Sequence, residues 1–213
     1  MEKLLVINAH PKVDTDSSVS LQVLRHFLET YRKCNPGGTI EQIDLYREHI
    51  PYIDHVFLSV QDKIRRNERL SVEEQRLASR MSDILRQFKS AKKYVIAMPL
   101  HNFNIPSKLK DYMDNILIAK ETFAYTENGS VGLLTDGRRV LVIQASDAIY
   151  TNNDWYTEVE YSHKYLKSMF NFIGVDYQII RAQGNYLMDR EEVLSKAFQE
   201  AELAAASYTE VRN

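Results

Sequence analysis

The sequence predicts an α/β domain: a five-stranded parallel sheet, doubly wound, with helices on both faces. Three observations carry this. Short continuous apolar runs over residues 3–8, 93–98 and 139–145 have the length of strands buried on both sides. Between them, apolar residues recur at three- and four-residue spacing, as on the inner face of a helix. The two patterns alternate along the whole chain, which is the signature of strand–helix–strand units. Right-handed crossovers leave few topologies, and the common order for five such strands is 2-1-3-4-5.

The first strand spans residues 3–8, and a polar loop follows to Asp16. A helix over 17–33 places Val19, Val23, Leu24, Phe27, Leu28 and Tyr31 on one face and stops at Asn35-Pro36-Gly37-Gly38. Residues 39–46 read as the second strand, and 54–66 as a short helix. Ser71 and Glu74 have the spacing of a capping box, opening a helix with Leu77, Met81, Ile84, Leu85 and Phe88 inward. The third strand, 93–98, leads through a loop to a helix from Pro106, a residue suited to a first helical turn. Glu127-Asn128-Gly129 reads as a hairpin turn. The fourth strand spans 139–145. One helix is expected over 154–173, ended by Gly174, then a fifth strand over 175–181 and an alanine-rich helix over 188–208.

A chain of 213 residues has enough material for one well-buried domain, and residues 1–213 are read as that domain. Hydrophobic residues make up 44% and charged residues 26%, as in a soluble globular protein. A net charge of −2 implies no nucleic-acid partner and no anionic membrane surface. No apolar run approaches the length of a membrane span or a signal segment. One cysteine, Cys34, excludes an internal disulfide framework and a multi-cysteine metal site, which fits a reducing cytoplasm.

With this order, the loops after the first and third strands, 9–18 and 99–106, face each other at the switch point where such sheets bind ligands. The loop after the fourth strand, 145–150, closes the side. Seven glycines in all leave the first strand–helix turn without any, so neither a dinucleotide fingerprint nor a P-loop is present. Ser17 and Ser18 lie where a helix N-terminus attracts an anion, with His10 nearby in sequence. The same serines are also common helix caps, and local sequence leaves both readings open. Pro99-Leu100-His101-Asn102-Phe103 offers backbone N–H groups, an amide and an aromatic ring, the parts that hold a planar heterocycle by its edge. Taken singly, Phe103, Phe123 and Phe172 read as core residues. Lys63, Arg65, Arg66 and Arg69 form a basic run of the kind that is usually a solvated face.

Taken together, Asn8-Ala9-His10-Pro11, Ser17-Ser18-Val19-Ser20 and Pro99-Leu100-His101-Asn102-Phe103-Asn104-Ile105-Pro106 resemble the FMN-dependent NADH azoreductases, also described as FMN-dependent NADH:quinone oxidoreductases. Residues 122–129 and 170–174 extend the resemblance over nearly the whole chain. It implies a flavodoxin-like fold, a homodimer, and FMN held at sites that take residues from both subunits. His10, Ser17 and Ser18 would hold the FMN phosphate. Pro99, Leu100, His101, Asn102 and Phe103 would line the isoalloxazine, and Ala145, Ser146, Asp147 and Ala148 its pyrimidine side. Phe123, Tyr125 and Phe172 would reach the partner's flavin and shape a substrate pocket.

Two departures stand out. The family's last loop usually reads Ser-x-Gly-Gly, where this chain has Ala145-Ser146-Asp147-Ala148; a Cβ obstructs close approach, and an anion disfavours anionic reduced flavin. Leu100-His101 replaces an apolar–aromatic pair. The implied activity is ping-pong transfer of two electrons from NADH or NADPH to quinones or azo compounds, the flavin carrying the chemistry without a protein nucleophile or metal. The alternatives are a flavodoxin-like FMN electron carrier and a flavin-free binding module.

Overall fold

The computed structural model describes residues 3–208. In chain order its elements are β1 (Leu4–Asn8), α1 (Val19–Cys34), β2 (Ile40–Asp44), α2 (His55–Arg65), α3 (Val72–Ser90), β3 (Lys93–Pro99) and α4 (Ser107–Ile116). Then come β4 (Phe123–Thr126), β5 (Gly129–Gly132), β6 (Arg139–Ser146), α5 (Trp155–Glu158), α6 (Tyr161–Ile173), β7 (Asp176–Gln183) and α7 (Arg190–Ser207). Five strands form one parallel sheet in the order β2-β1-β3-β6-β7, while β4 and β5 pair as a separate antiparallel hairpin. Leu4 lies between Ile40 and Lys93, Tyr94 beside Val140, and Arg139 beside Asp176. The chain reverses its direction across the sheet between β1 and β3, so the loops leaving these strands face one crevice.

Strand alternation divides the core in two. Leu5, Ile7, Tyr94, Ile96, Val140 and Val142 face α3, α4 and α6, against Phe88, Leu109, Met113 and Phe170. Leu4, Val6, Val95, Ala97, Leu141 and Ile143 face α1 and α7, against Val23, Phe27, Ala197 and Ala201. Each large apolar side chain fully buried this way contributes about 1.5–3 kcal/mol. The interior strand β1, between β2 and β3, is buried at all five positions. Ser71 and Glu74 form the capping box: Ser71 N–H donates to Glu74 Oε2 at 2.8 Å and Glu74 N–H to Ser71 Oγ at 3.3 Å.

Three expectations are corrected. The helix over 154–173 is two helices. Asp154 caps α5, and the chain breaks at Val159-Glu160 because the buried Glu160 carboxylate turns inward to Arg181 on β7. Of the α3 residues expected inward, Ile84 and Phe88 are fully buried; Leu77, Met81 and Leu85 are only half-buried. Met81 and Leu85 line a groove of about 740 Å³ beside α2. The first long helix begins at Val19 instead of Ser17. Among the described residues, no helix is long and apolar enough to cross a membrane.

Candidate functional site

The loop after β1 is built on Asn8. Its buried amide donates to Asp44 Oδ1 at 2.9 Å and to the Val13 carbonyl at 3.3 Å, and its Oδ1 accepts the His10 N–H at 3.1 Å. These bonds fix the His10 backbone against the end of β2. His10 Nδ1 lies 3.0 Å from the Lys12 nitrogen and 3.1 Å from its oxygen. Burial holds His10 below the usual histidine range; the Lys12 carbonyl opposes this, while the nearby charges of His101 and Lys12 reinforce it. The effect of His101 puts the loops after β1 and β3 within electrostatic reach of each other.

Ser18 is the N-cap of α1: its Oγ accepts the Leu21 N–H at 3.4 Å and lies 3.1 Å from Ser20 Oγ. Ser17 is exposed, its Oγ 2.8 Å from Thr15 Oγ1, and Arg190 at the start of α7 donates to its carbonyl at 2.5 Å. The N–H groups of Ser18, Val19 and Ser20 have no acceptor among the described residues. These are the orphan donors that make a helix start attract an anion.

Beyond Pro99 the chain makes a tight two-residue turn. His101 N–H donates to Asn104 O at 2.9 Å, and Asn104 N–H to His101 O at 2.8 Å. Asn102 (φ 47°) and Phe103 (φ 65°) are both left-handed. Asparagine tolerates this region; a bulky aromatic does not, and such a residue costs on the order of 1–3 kcal/mol. The Asn102 side chain is exposed, and the N–H groups of Asn102 and Phe103 have no acceptor among the described residues. The Leu100 N–H donates to Ala145 O at 2.8 Å, so Pro99 and Leu100 are half-buried against the end of β6, while His101 is exposed.

The glycine-free loop after β6 takes no left-handed φ at residues 145–148. Its carbonyls are turned back onto the segment after β7. Asn185 N–H and Nδ2 donate to Ser146 O at 3.2 and 2.8 Å, Tyr186 N–H to Asp147 O at 3.4 Å, and Gly184 N–H to Ala148 O at 3.2 Å. Ser146 Oγ also donates to Ala148 O at 2.9 Å. The N–H groups of Asp147 and Ala148 have no acceptor among the described residues. The exposed Asp147, with Tyr156 and Tyr186, borders a hollow of about 450 Å³.

Phe123, Tyr125 and Phe172 come together, with ring centroids 5.1 Å (Phe123–Phe172) and 5.4 Å (Phe123–Tyr125) apart. They lie at the other end of the sheet from the three loops. Leu134 N–H donates to Ile173 O at 2.9 Å, just before β7 begins, whereas the loops leave the strands' carboxyl ends. At about 3.3 Å per residue, a strand the length of β7 separates the two places by more than 20 Å.

The sequence reading missed four contributors. Asn8, Asn185 and Arg190 brace the loops, and Trp155 packs edge-on to Phe103 with centroids 5.3 Å apart. Gly184 (φ 83°) marks the turn that presents Asn185, the one signal a glycine could have given. In the basic run, Lys63 pairs with Glu74, Arg65 with Asp62 and Arg66 with Glu68, so acids offset most of its charge.

A model of the flavodoxin-like fold matches residues 2–204. "FMN-dependent NADH:quinone oxidoreductase 1" of a Bacillus cereus strain is 64% identical over 208 residues, covering 97% of this chain and 98% of that protein. The chain belongs to the flavodoxin-like FMN-dependent NADH:quinone oxidoreductases. A Lactiplantibacillus plantarum member of these oxidoreductases is 46% identical, with 95% of each chain covered. The crystal structure of an FMN-dependent NADH-azoreductase from Bacillus anthracis, in complex with FMN, matches with a TM-score of 0.96 at 62% identity. That match covers 99% of this chain and 100% of the other.

Proposed function

We propose that the protein is an FMN-dependent NAD(P)H oxidoreductase that reduces quinones and azo compounds in a ping-pong cycle. The observation that carries this reading is the set of unpaired backbone donors at the start of α1 and in the loops after β3 and β6: Ser18, Val19, Ser20, Asn102, Phe103, Asp147 and Ala148. The donor set suits FMN, which carries an anion at one end and a heterocycle rich in acceptors at the other. The start of α1 with Ser17, Ser18 and His10 would hold the phosphate. Asn102, Phe103 and the neighbouring Pro99, Leu100 and His101 would line the isoalloxazine. Asp147 and Ala148 would donate to its pyrimidine side; no residue of that loop is left-handed, so its backbone conformation needs no glycine.

Bound FMN would supply the chemistry, accepting a hydride from the nicotinamide and passing two electrons to the acceptor. The protein's part is to bind, orient and exclude water. The proposed working unit is a homodimer, because Phe123, Tyr125 and Phe172 stand at the wrong end of the sheet to serve the loops of their own chain. Exposed apolar side chains at Tyr52, Ile53, Leu58, Ile64 and Tyr125 supply surface for such a contact. A cytoplasmic setting fits the single free thiol of Cys34.

The test is consumption of NADH and of NADPH by the purified protein with a quinone or an azo dye, with and without added FMN. Turnover that requires both FMN and the acceptor is expected. An FMN-loaded protein that reduces neither acceptor would overturn the reading.

A further inference from the structure

Beneath the Asn102–Phe103 turn lies a buried polar network that the proposed chemistry leaves unused. Glu160, 3% exposed, sits at the N-cap position of α6 but makes no side-chain cap there. Its Oε1 accepts Arg181 Nε at 2.8 Å and Gln144 Nε2 at 2.9 Å, and its Oε2 accepts Arg181 Nη2 at 2.9 Å. The fully buried Ser162 donates through Oγ to Gln144 Oε1 at 2.7 Å. One side chain from β6, one from β7 and two from the start of α6 are thereby locked together. A forked guanidinium–carboxylate pair whose carboxylate also accepts an amide N–H is the geometry that makes burying the Glu160 charge tolerable.

The network ends on the turn. Ser162 N–H, one of the helix-start donors left without an intrahelical acceptor, donates to the Phe103 carbonyl at 3.1 Å. On its other side, the Phe103 ring meets Trp155 of α5 edge-on. The break between α5 and α6 therefore holds Phe103 by both its carbonyl and its ring. A left-handed aromatic persists only where its surroundings over-determine it.

We infer that Glu160 is a positioning residue: by clamping the start of α6 to Gln144 and Arg181, it sets Ser162 against Phe103 and holds the turn that meets the flavin. The first half of this stands on the protein alone; the link to flavin rests on the function proposed above. Glu160→Gln keeps the shape but leaves Arg181 without its counter-charge. Ser162→Ala is a milder cut that keeps the backbone N–H.

The experiment is amide hydrogen exchange of a peptide spanning residues 101–104 in flavin-free protein, followed by FMN titration with the visible spectrum recorded. Phe88→Leu, in the core at the far end of the sheet, serves as a destabilised control. The expected result is exchange at least tenfold faster in Glu160→Gln and severalfold faster in Ser162→Ala, unchanged in Phe88→Leu. FMN affinity should fall about tenfold in Glu160→Gln, with a shifted spectrum. Should Glu160→Gln fail to fold, Ser162→Ala decides alone. Unchanged exchange at 101–104 in the variants overturns the inference. Wild-type protein that takes up no FMN overturns the functional reading instead, and the exchange result still decides the role of Glu160 in the turn.

Discussion

His101 and Asn104 exchange both of their backbone hydrogen bonds, at 2.9 and 2.8 Å, across a turn whose two central residues are left-handed. Asn-Gly is the pair such a turn prefers; this chain has Asn-Phe. Phe103→Gly should therefore leave stability within about 1 kcal/mol of wild type, since relief of backbone strain offsets the lost ring contact with Trp155. FMN affinity should drop at least tenfold. Thermal unfolding and FMN titration on the same samples check both halves, and unchanged affinity would show that the ring is scaffold only.

The two serines at the start of α1 should separate. Ser18→Ala removes a helix cap and should cost about 1 kcal/mol. Ser17→Ala, at an exposed side chain, should stay within about 0.5 kcal/mol. Ser17→Ala should weaken FMN several-fold while leaving riboflavin, which lacks the phosphate, unaffected. Equal losses for both ligands would move the phosphate elsewhere.

Acid should destabilise the protein near pH 6. Burial holds His163 below the usual range, helped by Arg181, Lys167 and Lys164 and opposed by Glu160; its Nδ1 lies 3.2 Å from the Tyr177 hydroxyl. His10 is lowered as well. A histidine whose folded pKa is depressed takes up its proton first in the unfolded chain, so stability is lost as pH falls below about 6.5. Denaturant midpoints measured from pH 7.5 to 5 should fall, and His163→Asn should flatten that slope. An unchanged slope would exclude His163 as a source.

Gly132 marks where the β4–β5 hairpin presses on α6. A Cβ there would meet Phe172 O and Ile173 C at 2.5 Å, both backbone atoms. Gly132→Ala should cost about 1–3 kcal/mol and shift the hairpin that carries Phe123 and Tyr125. If those side chains wall the partner's acceptor pocket, the KM for a quinone rises while FMN affinity holds. A loss of stability with unchanged KM would assign the aromatics to packing.

Much of this architecture was legible because it is local. The apolar runs at 93–98 and 139–145 became buried strands, Ser71 and Glu74 formed their capping box, and the loops singled out around Ser17, Asn102 and Ser146 lie at the carboxyl ends of β1, β3 and β6. What escaped depends on distant partners. The break at Glu160 is set by Arg181, twenty-one positions away, against a helical pattern that runs through it. Phenylalanine gives no sign of a left-handed turn, so the geometry of Phe103 is visible only with α5 and α6 packed around it. Asn8 looks like an ordinary strand-end asparagine and Asn185 like a loop one until Asp44 and Ser146 are beside them.

The most direct measurement is the visible spectrum of the purified protein with FMN, followed by anaerobic addition of NADH and, separately, NADPH. The account predicts a bound flavin spectrum that bleaches on adding the nicotinamide and returns when a quinone is added. Flavin that binds and does not bleach would make the protein an electron carrier; absence of binding would remove FMN from these loops altogether.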